Sequence, residues 1–223
     1  MRVRVAAGVL SVAVLFSAPG AVAAPLACGD LGGTVREDTC QITETTPGYM
    51  MDLRFPVDYP GEPDMVNYVA QTKEGFLNVA RTPESRGRPY ELDVTAESLR
   101  SAQTRSVVLT LFQNVGGAHP TTWYKSFTYD VGRNAPVAFE TLFAPGAAPM
   151  AEIFPIVQRE LENTSGLGDA VSAGDGMDPA HYQNFAITDD AVIFYFGRGE
   201  LLPSYAGATS VSVPRAAIPP LQV

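Results

Sequence analysis

Residues 183–223 read QNFAITDDAVIFYFGRGELLPSYAGATSVSVPRAAIPPLQV. Phe185-Ala186-Ile187 and Val192-Ile193-Phe194-Tyr195-Phe196 are β-branched and aromatic runs separated by the small acidic turn Asp189-Asp190, a hairpin signature. Gly199-Glu200-Leu201-Leu202-Pro203 and Ala206-Gly207 mark a turn. A Val-rich strand then closes on Val213-Pro214-Arg215, and a short terminal helix follows.

Working back from that block, two strands are expected at Gln41–Thr46 and Met50–Phe55, broken by Pro47-Gly48. Asp64 is the expected N-cap of a helix over Met65–Ala80, where Met65, Val66, Val69, Phe76, Leu77 and Ala80 recur at helical steps. Tyr90–Ala102 reads as a strand. The clearest hairpin joins Val107–Phe112 to Trp123–Val131, with Leu109 and Leu111 on one face and Trp123, Lys125, Phe127 and Tyr129 sharing a face of the second strand. Met150, Ile153, Phe154, Val157 and Leu161 give a second amphipathic helix, with Pro155 assigned to its first turn and the regular part to 155–163. Thr164–Pro179 reads as a Gly- and Asp-rich loop. Strands, helix, strands, helix, strands in that order predict an α+β fold: one compact domain, a largely antiparallel sheet and two main helices.

Residues 1–23 read as a signal peptide. Arg2 and Arg4 form the basic start, Val5–Ala18 the apolar centre, and Ala21-Val22-Ala23 the cleavage signal, with Ala24 as the alternative site. Pro19-Gly20 interrupts the run, and it is short for a membrane anchor. Pro25 stands where a lipoprotein signal ahead of Cys28 would carry Leu. Residues 24–223 then form the exported domain, and removal of the two arginines takes the net charge from −9 to −11. Such a surface repels nucleic acid and anionic lipid. Cys28 and Cys40 are the only cysteines, so outside the cell they are expected to pair across a Gly-containing loop as a structural staple of roughly 2–3 kcal/mol.

Several segments resemble the mycobacterial secreted immunogenic-protein family. They are Cys40-Gln41-Ile42, Tyr68-Val69-Ala70-Gln71-Thr72, Pro89-Tyr90-Glu91-Leu92, Gln113–Thr122, Phe154-Pro155-Ile156-Val157-Gln158, Asp178-Pro179, Tyr182–Ala186 and the terminal block. They occur in order along nearly the whole exported chain. More distantly, the pattern is similar to the extracellular domain of lysozyme-sensing anti-sigma factors. The resemblance implies a secreted actinobacterial protein and a β-grasp-like fold. It names no common chemistry, although the anti-sigma relatives bind a host protein and esterase activity has been attributed within the wider family.

An esterase would need His119 or His181 as its base, with Asp130, Asp175, Asp178, Asp189 or Asp190 to orient it. No G-x-S-x-G occurs, so the strained elbow of α/β-hydrolases is missing. His119 sits in Gly116-Gly117-Ala118-His119-Pro120 at the tip of the strongest hairpin, where a binding role competes with plain turn chemistry. His119 and nearby Trp123 are the candidate binding residues. Asp169, Asp175 and Asp178 lack the spacing of a calcium loop, and the two histidines give no zinc signature, so no metal or cofactor is expected. Asn163-Thr164-Ser165 matches a glycosylation sequon by chance.

These readings lead to a monomeric exported protein, free or retained in the cell wall, that binds a host or other extracellular protein. The alternative is a weak carboxylesterase for short acyl esters.

Overall fold

A computed structural model describes residues 26–82, 89–117, 119–168 and 171–223. The signal-peptide reading and Asp169 lie outside the described residues.

Strand β1 (Thr34–Arg36), β2 (Thr39–Thr45) and β3 (Tyr49–Pro56) form an antiparallel meander. Helix α1 (Glu62–Ala80) then crosses over to β4 (Tyr90–Arg100), which lies parallel to β3 from Tyr49↔Tyr90 to Leu53↔Val94. Strand β5 (Thr104–Asn114), β6 (Thr121–Asp130) and β7 (Ala135–Pro136) continue the sheet antiparallel. The seven strands lie in chain order. After α2 (Phe139–Leu142), α3 (Met150–Ser165) and the single turn α4 (Ala173–Gly176), a second antiparallel sheet follows in the order β10-β9-β8. Its strands are β8 (Phe185–Ile187), β9 (Ala191–Phe196) and β10 (Thr209–Pro214).

The fold is α+β with two main helices, as the sequence pattern predicts, and the layers stack as helix, sheet, sheet, helix. Period-two alternation sets the faces. Met51, Leu53 and Phe55 of β3, Leu92 and Val94 of β4 and Leu109 and Leu111 of β5 pack against Met65, Val66, Val69 and Phe76 of α1. In the small sheet Val192, Phe194 and Phe196 of β9, with Val211 and Val213 of β10, pack against Ile153, Phe154, Val157 and Leu161 of α3. Val108, Ala186 and Tyr195 form the buried apolar contact between the two sheets.

Hydroxyls also fasten the sheets together. Thr128 Oγ1 donates to Phe185 O at 2.9 Å and Ile187 N–H donates to Ser106 Oγ at 3.3 Å. A hydroxyl has one proton, so the 3.0 Å contact between the two side chains must run from Ser106 to Thr128. The chain Ile187 N–H to Ser106 to Thr128 to Phe185 C=O thus satisfies the edge of β8 that faces away from β9. Beside it, Phe185 N–H donates to Ser126 Oγ and Ser126 N–H to Asn184 Oδ1.

Three local expectations are corrected. Helix α1 starts at Glu62, not after Asp64, because Pro63 fits its first turn, where no N–H partner is needed. Helix α3 runs through Pro155, which stands in its interior. Burial of Met150, Ile153 and Phe154 on the N-terminal side of that proline outweighs the lost backbone bond. The segment read as a loop over 164–179 contains the end of α3 and all of α4.

Candidate functional site

Cys28 and Cys40 are joined, with Cα atoms 5.7 Å apart, and both are buried. They tether the segment before β1 to β2.

The two imidazoles have different surroundings. His119 is exposed at the β5–β6 tip and has no hydrogen bond or ion pair among the described residues. Trp123, four residues on, is half-buried, and its indole N–H donates to Tyr68 of α1 at 2.9 Å. Lys125 Nζ lies 5.7 Å from the centroid of the same tyrosine ring. Trp123 therefore binds β6 to α1.

His181 stands in the 3₁₀ turn Pro179–Tyr182, whose start is capped by Asp178 Oδ1 accepting from Ala180 N–H at 2.9 Å. The next residue anchors the turn: Tyr182 is fully buried and donates to Gly176 O at 2.6 Å. His181 Nδ1 lies 3.7 Å from Glu200 Oε1, beyond hydrogen-bond length but within Coulomb reach. Glu200 is itself held, since its Oε2 accepts from Gly197 N–H at 2.7 Å.

The loop carrying Glu200 is tied down at both ends. Arg198 N–H donates to Thr122 O at 2.8 Å, and its guanidinium bonds Pro120 O and Ser204 O. Gly199 has φ of 80°, and a Cβ there would meet Ser204 Oγ at 2.7 Å. This loop joins the 3₁₀ turn of His181 to the start of β6. A carboxylate beside Nδ1 orients the ring and leaves Nε2 as the free nitrogen. That pair is two members of an acid–base–nucleophile set. Among the described residues no serine or threonine hydroxyl hydrogen-bonds either imidazole.

Asp130, Asp175, Asp178 and Asp189 have their carboxylates engaged elsewhere. Asp130 is buried beside Arg133, with its Oδ1 accepting Arg133 N–H and its Oδ2 3.6 Å from Nε. Asp175 accepts from Ser172 Oγ, and Asp189 Oδ1 accepts from Ala102 N–H. Asp190 contributes its carbonyl to Arg215 N–H. Sequence reasoning missed Glu200 because only aspartates were weighed. The Gly-x-Gly-Glu turn following an aromatic strand was the available signal.

Two adjoining clefts are lined by neither histidine. One of about 330 Å³ is lined by Asp38, Asp58, Tyr59, Ser98, Arg105 and Val131, among others, and one of about 310 Å³ shares Asp38, Pro56 and Ser98 with it. Among the described residues no group of three or more His, Cys, Asp or Glu side chains is placed to hold a metal ion. No described helix is long and apolar enough to cross a membrane.

Residues 140–216 match the family described as Protein of unknown function (DUF3298). A solved DUF3298 protein of Bacteroides fragilis shares the fold, with a TM-score of 0.50 over 82% of this chain and 92% of that one at 13% identity. The protein named Esterase Rv3036c of Mycobacterium tuberculosis is 50% identical over the full length of both chains. Immunogenic protein MPT64 of the same organism is 42% identical over 98% of each. Whole-length identity at that level, together with the matching domain, means that this chain belongs to the mycobacterial immunogenic-protein family typified by MPT64.

Proposed function

We propose that this chain is an exported hydrolase of short carboxylic esters, with His181 as general base and Glu200 as the carboxylate that orients it. The whole-length relative named an esterase carries this reading. The His181–Glu200 pair supports it from the geometry. His181 Nε2 takes a proton from water as the water oxygen attacks the acyl carbonyl. The tetrahedral intermediate then expels the alkoxide, which recovers that proton from the imidazolium, leaving acid and alcohol. Water serves as nucleophile in this reading, since among the described residues no serine or threonine hydroxyl is hydrogen-bonded to the imidazole.

The second reading is binding of an extracellular protein. It is favoured by the exposed position of His119 at the β5–β6 tip and by the relatives named immunogenic proteins.

Turnover of p-nitrophenyl acetate and butyrate by purified residues 24–223 decides between them. The hydrolase reading expects activity that falls about 10²-fold or more in His181→Ala and is unchanged in His119→Ala. Activity no higher than that of denatured protein, or equal in all variants, leaves binding as the function.

A further inference from the structure

The large sheet is split along part of its length. Pairing of β3 with β4 stops at Leu53↔Val94, while β4 runs on to Arg100 against β5 alone. Two backbone bonds fix which groups of β4 face the gap. Tyr90 N–H donates to Gly48 O on the β3 side, and Ser101 N–H donates to Thr104 O on the β5 side. Ladder bonds alternate along an antiparallel pair, so even-numbered residues of β4 point their N–H and C=O toward β3 and odd-numbered ones toward β5. Beyond Val94, therefore, the backbone groups of Ala96, Ser98 and Arg100 point into a cleft where no strand lies, and all three residues are exposed.

The outer edges of this sheet are blunted, with only three residues in β1 and two, one of them proline, in β7. The inner edge has no such protection.

The two adjoining clefts occupy this gap. Their wall opposite β4 is residues 54–58, where β3 bends away. Val131 supplies exposed apolar surface at 48%. Asp38 and Asp58 are exposed, and among the described residues neither carboxylate has a cationic partner. The arginines that line the two clefts are committed: Arg54 to Asp52 at 2.6 Å, and Arg105 to the carbonyls of Ser101 and Thr104.

We propose that the split between β3 and β4 binds an extended segment of another polypeptide, which adds as a strand to β4 at Ala96–Arg100 and places a lysine or arginine against Asp38 and Asp58. Main-chain bonding supplies the affinity and alternate side chains the selectivity, as in other strand-addition sites. The site is separate from His181 and independent of the esterase reading.

The test uses a fluorescein-labelled decapeptide of alternating Val and Lys, with residues 24–223 as receptor. Two control peptides carry Glu for Lys, or Pro at alternate positions. The Val–Lys peptide is expected to bind at least about tenfold more tightly than either control, and to slow hydrogen exchange of the Ala96 and Ser98 amides by about tenfold or more. Ser98→Pro removes one gap-facing N–H while keeping the ladder to β5, and is expected to abolish binding with ester turnover unchanged. Asp58→Lys, at an exposed site, serves if the proline variant fails to fold, and should weaken binding about tenfold. Unchanged exchange at Ala96 and Ser98 in the presence of peptide, or equal binding by a folded Ser98→Pro protein, overturns the proposal. Binding of the Glu peptide as tightly as the Lys peptide overturns its charge assignment.

Discussion

Glu200 touches His181 with one carboxylate oxygen, 3.7 Å from Nδ1, and the Gly197 amide with the other, at 2.7 Å. The carboxylate is thus fixed by the backbone of its own loop before it meets the imidazole. Each side chain of the pair is about a quarter exposed, at 28% and 27%, so water screens the attraction. Glu200→Gln keeps the shape and removes the charge. It is expected to lower kcat for p-nitrophenyl butyrate about tenfold with KM unchanged, well short of the loss seen when a deeply buried triad carboxylate is neutralised. Steady-state kinetics at fixed ionic strength measure it. A kcat equal to that of the unaltered protein removes Glu200 from the mechanism.

Trp123 belongs to the scaffold, which gives a prediction opposite to that for a binding residue. Its indole donates to Tyr68, and Tyr68 stacks edge-on against Phe127 at 6.0 Å. Trp123→Phe deletes that bond and leaves the Tyr68 hydroxyl short of a partner. The expected cost is about 1–2 kcal/mol in urea unfolding, with ester turnover unchanged.

Much of the fold was legible in the sequence because burial follows period. Met65, Val66, Val69 and Phe76 on α1, and Leu109 and Leu111 on β5, are buried where their spacing places them. The split of the last strands into a separate sheet was not legible. It depends on Ser106, Ser126, Thr128 and Asn184, polar residues whose sequence positions do not reveal that they bond across a layer. The site was half legible. His181 was named as a candidate base, but the partnership with Glu200 depends on a loop folding back over a turn 19 residues earlier, which no local pattern encodes.

Gly33 couples to the disulfide. A Cβ on Gly33 would lie 2.6 Å from Cys28 Sγ and 2.8 Å from Cys40 Sγ. Replacing both cysteines by serine is expected to cost roughly 2–3 kcal/mol, and Gly33→Ala about 1–3 kcal/mol in the oxidised protein. In the double-serine background the alanine should cost clearly less, since the smaller hydroxyls rotate away. Urea unfolding of the four proteins gives the coupling directly, and strict additivity of the two changes refutes the packing argument.

Asp93 faces Asp52 across the parallel pair, and its pKa lies above the ordinary carboxylate range, first through burial and then through the Asp52 charge, with Arg54 opposing. A raised folded-state pKa favours the protonated form, so its contribution to stability is full below the ordinary Asp value and is lost as pH rises through the folded value. Asp93→Asn cannot ionise. Its Tm is expected to exceed that of the unaltered protein at pH 7 and to match it near the acid end of the range. A Tm lower at pH 7 than that of the unaltered protein contradicts this.

Thr128, like Ser106, is a link of the buried hydroxyl chain that touches both sheets. Thr128→Val keeps the side-chain shape but removes the donor to Phe185 O and the acceptor for Ser106. Thr128 is 5% exposed and Ser106 1%, so water does not readily replace the lost partners. Leaving two buried polar groups unsatisfied is expected to cost about 2–4 kcal/mol, several times the usual effect of an isosteric surface change. Hydrogen exchange locates the damage. If the chain is what fastens β8 to the large sheet, the Ile187 amide, which donates to Ser106, should lose protection before the amides of β9 and β10. Uniform loss across both sheets would instead mean that Val108, Ala186 and Tyr195 hold the layers together and the hydroxyls only fill the space between them.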